Sequence, residues 1–258
     1  MISKQVQYVD FHCHCDLLPG FDNNSFQLDE EVAAIAVTTT PLAWRKNVEV
    51  SKRITTMYPA LGMHPQLIAS RLSDFKEFSK HLEVASIVGE IGLDGSSSFK
   101  DSIKTQEEVL SQILSMCAQM ETNRILSIHS LRAEIKLIKH LQEYVSKSNM
   151  TPVMHWFTGS MTQASKLLDM GAKFSINHKM IGTKKGQQLL AHIPVDAVLI
   201  ETDLPFTSKS YDSTLHRKLL ANTTMQISAR WDICREECVD IILRNSKEIL
   251  LDCYSLDF

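Results

Sequence analysis

No apolar run in this 258-residue chain reaches the roughly 18 residues a membrane span needs, which excludes a transmembrane helix. The opening stretch, MISKQVQYVDFH, lacks an apolar core and a small-residue cleavage site, so it is not a secretory signal and the protein is expected in the cytoplasm. Glycine and proline are sparse, at 9 and 7 residues. No tract rich in them or in serine is long enough to be a linker; GSSSF at 95–99 comes nearest. No glycine-rich turn follows the first apolar run, which argues against a dinucleotide site. The six cysteines are unevenly spaced and do not form a disulfide framework. An excess of basic charge is missing too. A formal charge of −3 excludes a broad cationic clamp on duplex nucleic acid, though not action on one phosphodiester at a time.

What the chain does contain is a recurring pattern. Short, β-branched apolar runs occupy Val6–Cys13, Ala34–Thr40, Ala60–His64, Ile87–Asp94, Ile125–Ser130, Val153–Thr158, Lys173–His178 and Val198–Asp203. Each has the length of a strand covered on both faces. Between them lie helical patterns at Thr105–Met120, Leu131–Lys147, Met161–Met170 and Gly182–Ile193, and two more helical stretches fill Leu215–Phe258. Strands alternating with helices imply right-handed βαβ units. Eight of them, in a chain near the typical 250 residues or so, predict a (β/α)8 TIM-type barrel forming a single domain over 1–258. An open doubly wound sheet is the alternative.

In a barrel the chemistry sits at the C-terminal strand ends, and there the sequence turns polar. The first run ends Asp10-Phe11-His12-Cys13-His14-Cys15-Asp16. Residues two apart on a strand share a face, so His12 and His14 can chelate one metal while Cys13 and Cys15 point away into the core. Glu90 lies inside an apolar run, where a carboxylate is costly unless paired or bound to a cation. His129, His155 and Asp203 end the fifth, sixth and eighth runs. Four histidines, a glutamate and an aspartate are too many for one open tetrahedral ion. They suit two divalent ions about 3.5–4 Å apart with a shared carboxylate, an arrangement that activates water and stabilises the leaving oxygen in displacement at phosphorus. Imidazole-rich ligation favours zinc, with manganese or magnesium as alternatives. Lys184 and Lys185, after the seventh run, are candidates for contacting a substrate phosphate. Trp156 should point to the strand face opposite His155, and so into the core. His216 receives no role.

These motifs resemble the TatD family of metal-dependent deoxyribonucleases, which belong to the amidohydrolase-like barrels. The resemblance rests on DFHCHCD at 10–16, ALGMHP at 60–65, VGEIGLD at 88–94, IHS at 128–130, HWFTGS at 155–160 and ETDLPF at 201–206. It implies one ion on His12, His14, Glu90 and Asp203, a second on Glu90, His129 and His155, and His64 beside the substrate phosphate. Glu90, Asp203 and His64 then carry the catalysis. Three departures lie in loops over the site. Leu131 stands where the family often has arginine, Gly95-Ser96-Ser97 follows the VGEIGLD motif, and Thr207-Ser208-Lys209-Ser210-Tyr211 replaces the usual loop after ETDLPF. With these departures the chain looks like the TatD-like component of the bacterial Qat anti-phage defence system.

The expected activity is therefore two-metal phosphodiester hydrolysis on single-stranded DNA ends, with other defence-system proteins as partners and no membrane. A metallohydrolase of another ester, amide or aminoacyl bond uses the same ligands. A defence-complex subunit with structural metals is the non-catalytic alternative. Two divalent ions would carry the formal charge from −3 to +1, with the added charge placed where a phosphate must bind.

Overall fold

The computed structural model describes residues 5–253 apart from 24, 147 and 209. Eight strands form one sheet: β1 (Tyr8–Cys13), β2 (Val32–Ala36), β3 (Met57–Pro59), β4 (Ile87–Asp94), β5 (Arg124–Leu131), β6 (Met150–His155), β7 (Lys173–Ile176) and β8 (Val198–Ile200). All pairings are parallel, in the order β3-β2-β1-β8-β7-β6-β5-β4. The sheet curls into the expected TIM-type barrel. Its seam, between β3 and β4, is bridged just beyond β3 by a parallel contact of Leu61 with Val88.

That seam explains why two strands are shorter than their apolar runs. Ala60 N–H still donates to Ala36 of β2, but Leu61 N–H donates to Ile87 of β4, so the chain changes partner after Pro59. Likewise Val37 N–H donates to Cys13 and Thr38 N–H to Gly89, which ends β2 at Ala36. The run Ala60–His64 is thus a buried crossing segment rather than the third strand, and Ala34–Thr40 is a strand only in its first half. At the sixth run the strand is Met150–His155, leaving Trp156–Thr158 in the following loop. That loop is held by a capping box, with Ser160 and Gln163 each accepting the other's backbone N–H at the start of helix Met161–Leu168.

The core has layers on both sides of the sheet. Val9, Phe11, Ala33, Ile35, Ile87, Ile125, Val153 and Leu199 form one apolar layer, drawn from six strands. A larger layer packs the other faces against the outer helices, including Ile103–Ala118, Glu134–Tyr144, Lys184–His192, Ser213–Trp231 and Arg235–Cys253. Register slips between Asp10 and Cys13 in β1 and between Val88 and Ile91 in β4. Such irregularities re-aim side chains beside active sites, and these two precede or contain His12 and Glu90.

Close backbone approach at the seam requires glycine at position 62. A Cβ there would fall inside van der Waals distance of the Thr38 carbonyl and 2.6 Å from the Glu90 nitrogen. Gly62→Ala is therefore expected to destabilise the fold by about 1–3 kcal/mol, read by urea unfolding. Gly182→Ala, whose added carbon would meet only Lys179 and His178 carbonyls at 3.4 and 3.5 Å, should stay within roughly 0.5 kcal/mol of the parent.

Candidate metal centre

The sequence-predicted residues His12, His14, Glu90, His129, His155 and Asp203 converge at the C-terminal end of the barrel, with His64 arriving from the seam. Glu90 is only 2% exposed and forms the middle of the group. Its Oε2 lies 3.3 Å from both His12 Nε2 and His14 Nε2. Its Oε1 lies 2.9 Å from His129 Nδ1, 3.1 Å from His64 Nε2 and 4.0 Å from His155 Nε2. Asp203 divides in the same way. Its Oδ1 is 3.9 and 3.7 Å from His12 and His14, and its Oδ2 is 4.0 Å from His155. The backbone aims this carboxylate. Asp203 N–H donates to the His12 carbonyl at 2.8 Å, and the residue has a left-handed φ of 53°.

Hydrogen bonds behind the histidines settle which nitrogen faces inward. Glu201 lies 2.9 Å from His155 Nδ1, leaving Nε2 to point at Asp203 and Glu90. Glu201 is itself held by Asn177 Nδ2 at 2.9 Å and by the Ser175 hydroxyl. Asp94 lies 3.3 Å from His129 Nε2, so Nδ1 faces Glu90. Ser127 Oγ lies 2.8 Å from His12 Nδ1. His64 differs, because its Nδ1 accepts the Gln66 backbone N–H at 3.2 Å. A neutral His64 therefore carries its proton on Nε2, which makes it a donor toward the centre.

The electrostatics call for a cation. Burial pushes the Asp203 carboxyl up to about 7, although His155 and His14 pull it down. Burial disfavours a charged His155, but Glu201 and Asp203 outweigh it and raise its pKa to about 10. Burial opposes a charged His129 as well, yet hydrogen bonds to Asp94 and Glu90 bring it up to about 9. Burial and neighbouring His155 hold His12 well below the ordinary imidazole value. Burial works against an ionised Glu90, but the surrounding histidines, His64 and His12 first, keep its pKa well below the carboxylate range. Carboxylates this deep are tolerated only with positive charge among them. Three groupings of potential ligand atoms lie within this cluster: His12, His14 and Glu90; His12, His155 and Glu201; His64, Glu90 and His129. Converging imidazole and carboxylate atoms, backed by hydrogen-bonded partners, fit divalent metal ions.

A cavity of about 450 Å³ opens on the cluster. His14, His64, Glu90, His129, His155 and Asp203 form its polar side, and Leu131, Trp156 and Phe206 are among its other walls. Trp156 packs against the larger apolar layer, as the sequence reading expects, but it is only half-buried and also lines the cavity. It follows the last residue of β6 with a φ of 39°, so strand alternation no longer governs it. Lys184 and Lys185 do not line the cavity. They begin helix Lys184–His192, and Lys185 Nζ donates to the Thr158 carbonyl. Lys209 lies outside the described residues.

Cys13 and Cys15 are buried in an apolar cluster, as expected. Sequence reasoning passed over His216. Its Nε2 lies 2.7 Å from Asp10 Oδ2, and Asp10 also accepts the His12 and Thr202 backbone N–H groups and the Thr202 hydroxyl. Of this set only His216 lay outside every motif. The supporting roles of Glu201 and Asp94 were likewise hidden, although both residues stood in quoted motifs. We expect Glu201→Gln and Asp94→Asn each to weaken metal retention by roughly 10–100-fold, measured by competition with a chelator, while thermal unfolding of the metal-free proteins shifts little.

Comparison with known proteins agrees with this geometry. The chain is 27% identical over 213 residues to an uncharacterized metal-dependent hydrolase of Escherichia coli K12, YjjV, covering 77% of this chain and 80% of the relative. It is 28% identical over 226 residues to the human deoxyribonuclease TATDN3, covering 80% of each. The crystal structure of the E. coli TatD homologue YjjV superposes with a TM-score of 0.81 at 21% identity, covering all of both chains. A TatD family hydrolase from Entamoeba histolytica superposes with a TM-score of 0.72 at 17% identity, covering 96% of this chain and 99% of the other. The family model for TatD related DNases matches residues 9–251, and the chain accordingly belongs to the TatD family of metal-dependent hydrolases, enzymes that cleave ester bonds.

Proposed function

We propose that the chain is a two-metal phosphodiester hydrolase that degrades DNA from single-stranded ends, acting as one barrel domain over 1–258. The observation that carries this reading is the division of Glu90, with Oε2 turned to His12 and His14 and Oε1 to His129 and His155. His12, His14, Glu90 and Asp203 would hold one divalent ion, and Glu90, His129 and His155 a second. Zinc suits these ligands best, with manganese or magnesium as alternatives. Bound there, such ions supply Lewis-acid stabilisation of charge at phosphorus and acidify water.

The chain's own groups supply the remainder. Asp203 faces the cavity and accepts a proton from the attacking water. His64 presents its Nε2 proton to a non-bridging phosphate oxygen, with the imidazole fixed by the Gln66 N–H. Asp94 and Glu201 orient His129 and His155 and take no direct part. The altered loops at 95–99 and 207–211, together with Leu131, support a place among the TatD-like components of Qat anti-phage defence, with the other proteins of that system as partners and the cytoplasm as its site of action.

One observation favours a second substrate class. Among the described residues lining the cavity none is lysine or arginine, and such a wall also accommodates an uncharged ester, amide or aminoacyl bond. Metal analysis and a nuclease assay on parent and Glu90→Gln test the main reading. Metal and DNA cleavage should fall together, by more than the roughly 10–100-fold expected from losing an outer partner. Cleavage by metal-free protein would overturn it, and hydrolysis of carbonyl esters with intact DNA would shift the assignment to the second class.

A further inference from the structure

Two aromatic side chains line the cavity and abut the histidine cluster. The Trp156 ring lies against His155, with centroids 6.3 Å apart and planes at 87°. The Phe206 ring lies against His14, at 5.0 Å and 83°. Each therefore meets a histidine in a near-perpendicular, edge-to-face arrangement.

Both placements run against ordinary preference. Trp156 adopts a φ of 39°, a left-handed conformation that a bulky residue rarely takes and that costs on the order of 1–3 kcal/mol. With that conformation the residue departs from strand alternation, and it lines the cavity while one side packs against the larger apolar layer. Phe206 is 60% exposed, a large apolar surface left in water at the cavity mouth. Leu131 adds a further apolar wall, and none of the described lining residues is lysine or arginine. This cavity is built to accept a flat, uncharged group next to whatever the metal cluster binds, and at about 450 Å³ it has the size of a site for one small molecule.

We propose that Trp156 and Phe206 form a stacking subsite for one unstacked nucleobase of the nucleotide whose phosphodiester is cleaved. The inference rests on the phosphodiesterase reading above and specifies its substrate. Stacking on aromatic faces tolerates any base, because every base presents a π-face. It also demands that the base leave its helix, which is cheapest at a single-stranded or frayed end. The enzyme would thus select ends through the base and not through a track of phosphate contacts.

The test compares two short single-stranded oligodeoxynucleotides, one with thymine at both terminal nucleotides and one with abasic tetrahydrofuran residues at both termini. For the metal-loaded parent, removing the bases should raise KM on the order of ten- to hundred-fold. Trp156→Ala and Phe206→Ala should each raise KM for the thymine substrate by a similar factor, yet change KM for the abasic substrate less than about twofold. Trp156→Phe should restore most of the loss. Metal content equal to the parent's shows that a variant retains its site. Equal losses on both substrates, or no loss on either, would overturn the subsite while leaving the phosphodiesterase reading in place. A metal-loaded parent that cleaves neither oligonucleotide would overturn both.

Discussion

Glu90 is a carboxylate placed almost wholly out of water, and most of the surrounding structure can be understood as accommodating it. Ionised, such a group needs positive charge or several donors within reach, since burial alone would drive it to its neutral form. Five histidines and a left-handed aspartate are brought round it by β1, β5, β6, the seam and the segment after β8. The backbone has to yield as well. Gly62 brings the crossing segment against the Glu90 nitrogen. Gly92, with a φ of 141°, lets β4 lie so close to β5 that any Cβ would collide with the His129 carbonyl. The same seam therefore closes the barrel and positions the carboxylate at the middle of the cluster, so closure and the candidate site share one set of contacts.

Around that centre the histidines are not equivalent. His155 and His129 have acidic partners behind them, His12 has a hydroxyl and His64 a backbone N–H. A carboxylate behind an imidazole makes its inward nitrogen more basic and so a better ligand. A backbone N–H behind it does the reverse, making the inward nitrogen a donor. One side-chain type thus supplies both ligands and a hydrogen-bond donor, and the choice between them is made one contact away from the metal centre.

The residues that converge on the candidate centre and the barrel were legible in the sequence because both rest on local patterns. His12 and His14 share a face by parity, Glu90 is conspicuous within an apolar run, and alternating strand and helix lengths indicate the fold. Legibility failed where a residue's position depends on a partner distant in sequence. The run Ala60–His64 looked like a strand, but its hydrogen bonds pass from β2 to β4 at Leu61. Trp156 was assigned to the core by alternation and does pack there, but its place on the cavity wall follows a positive φ one residue past the strand, which alternation cannot show. Lys184 and Lys185 follow β7 as expected and are not among the lining residues, although Lys185 reaches the carbonyl of Thr158, which is one. His216, some 200 residues from Asp10, had no local signal at all.

The pairing of Asp10 with His216 bears on how the two sides of the donor set keep their separation. β1 carries His12 and His14, β8 leads into Asp203, and the two strands share a single register pair, Asp10 with Ile200. Such a short ladder is a weak hinge. It is reinforced by one aspartate that grips Thr202 through two hydrogen bonds and leans on an imidazole from helix Ser213–Trp231. That helix contributes nothing to the described cavity lining, yet it holds the clasp from outside. The separation of the strands that carry His12, His14 and Asp203 thus rests in part on a contact made from the far side of the barrel wall.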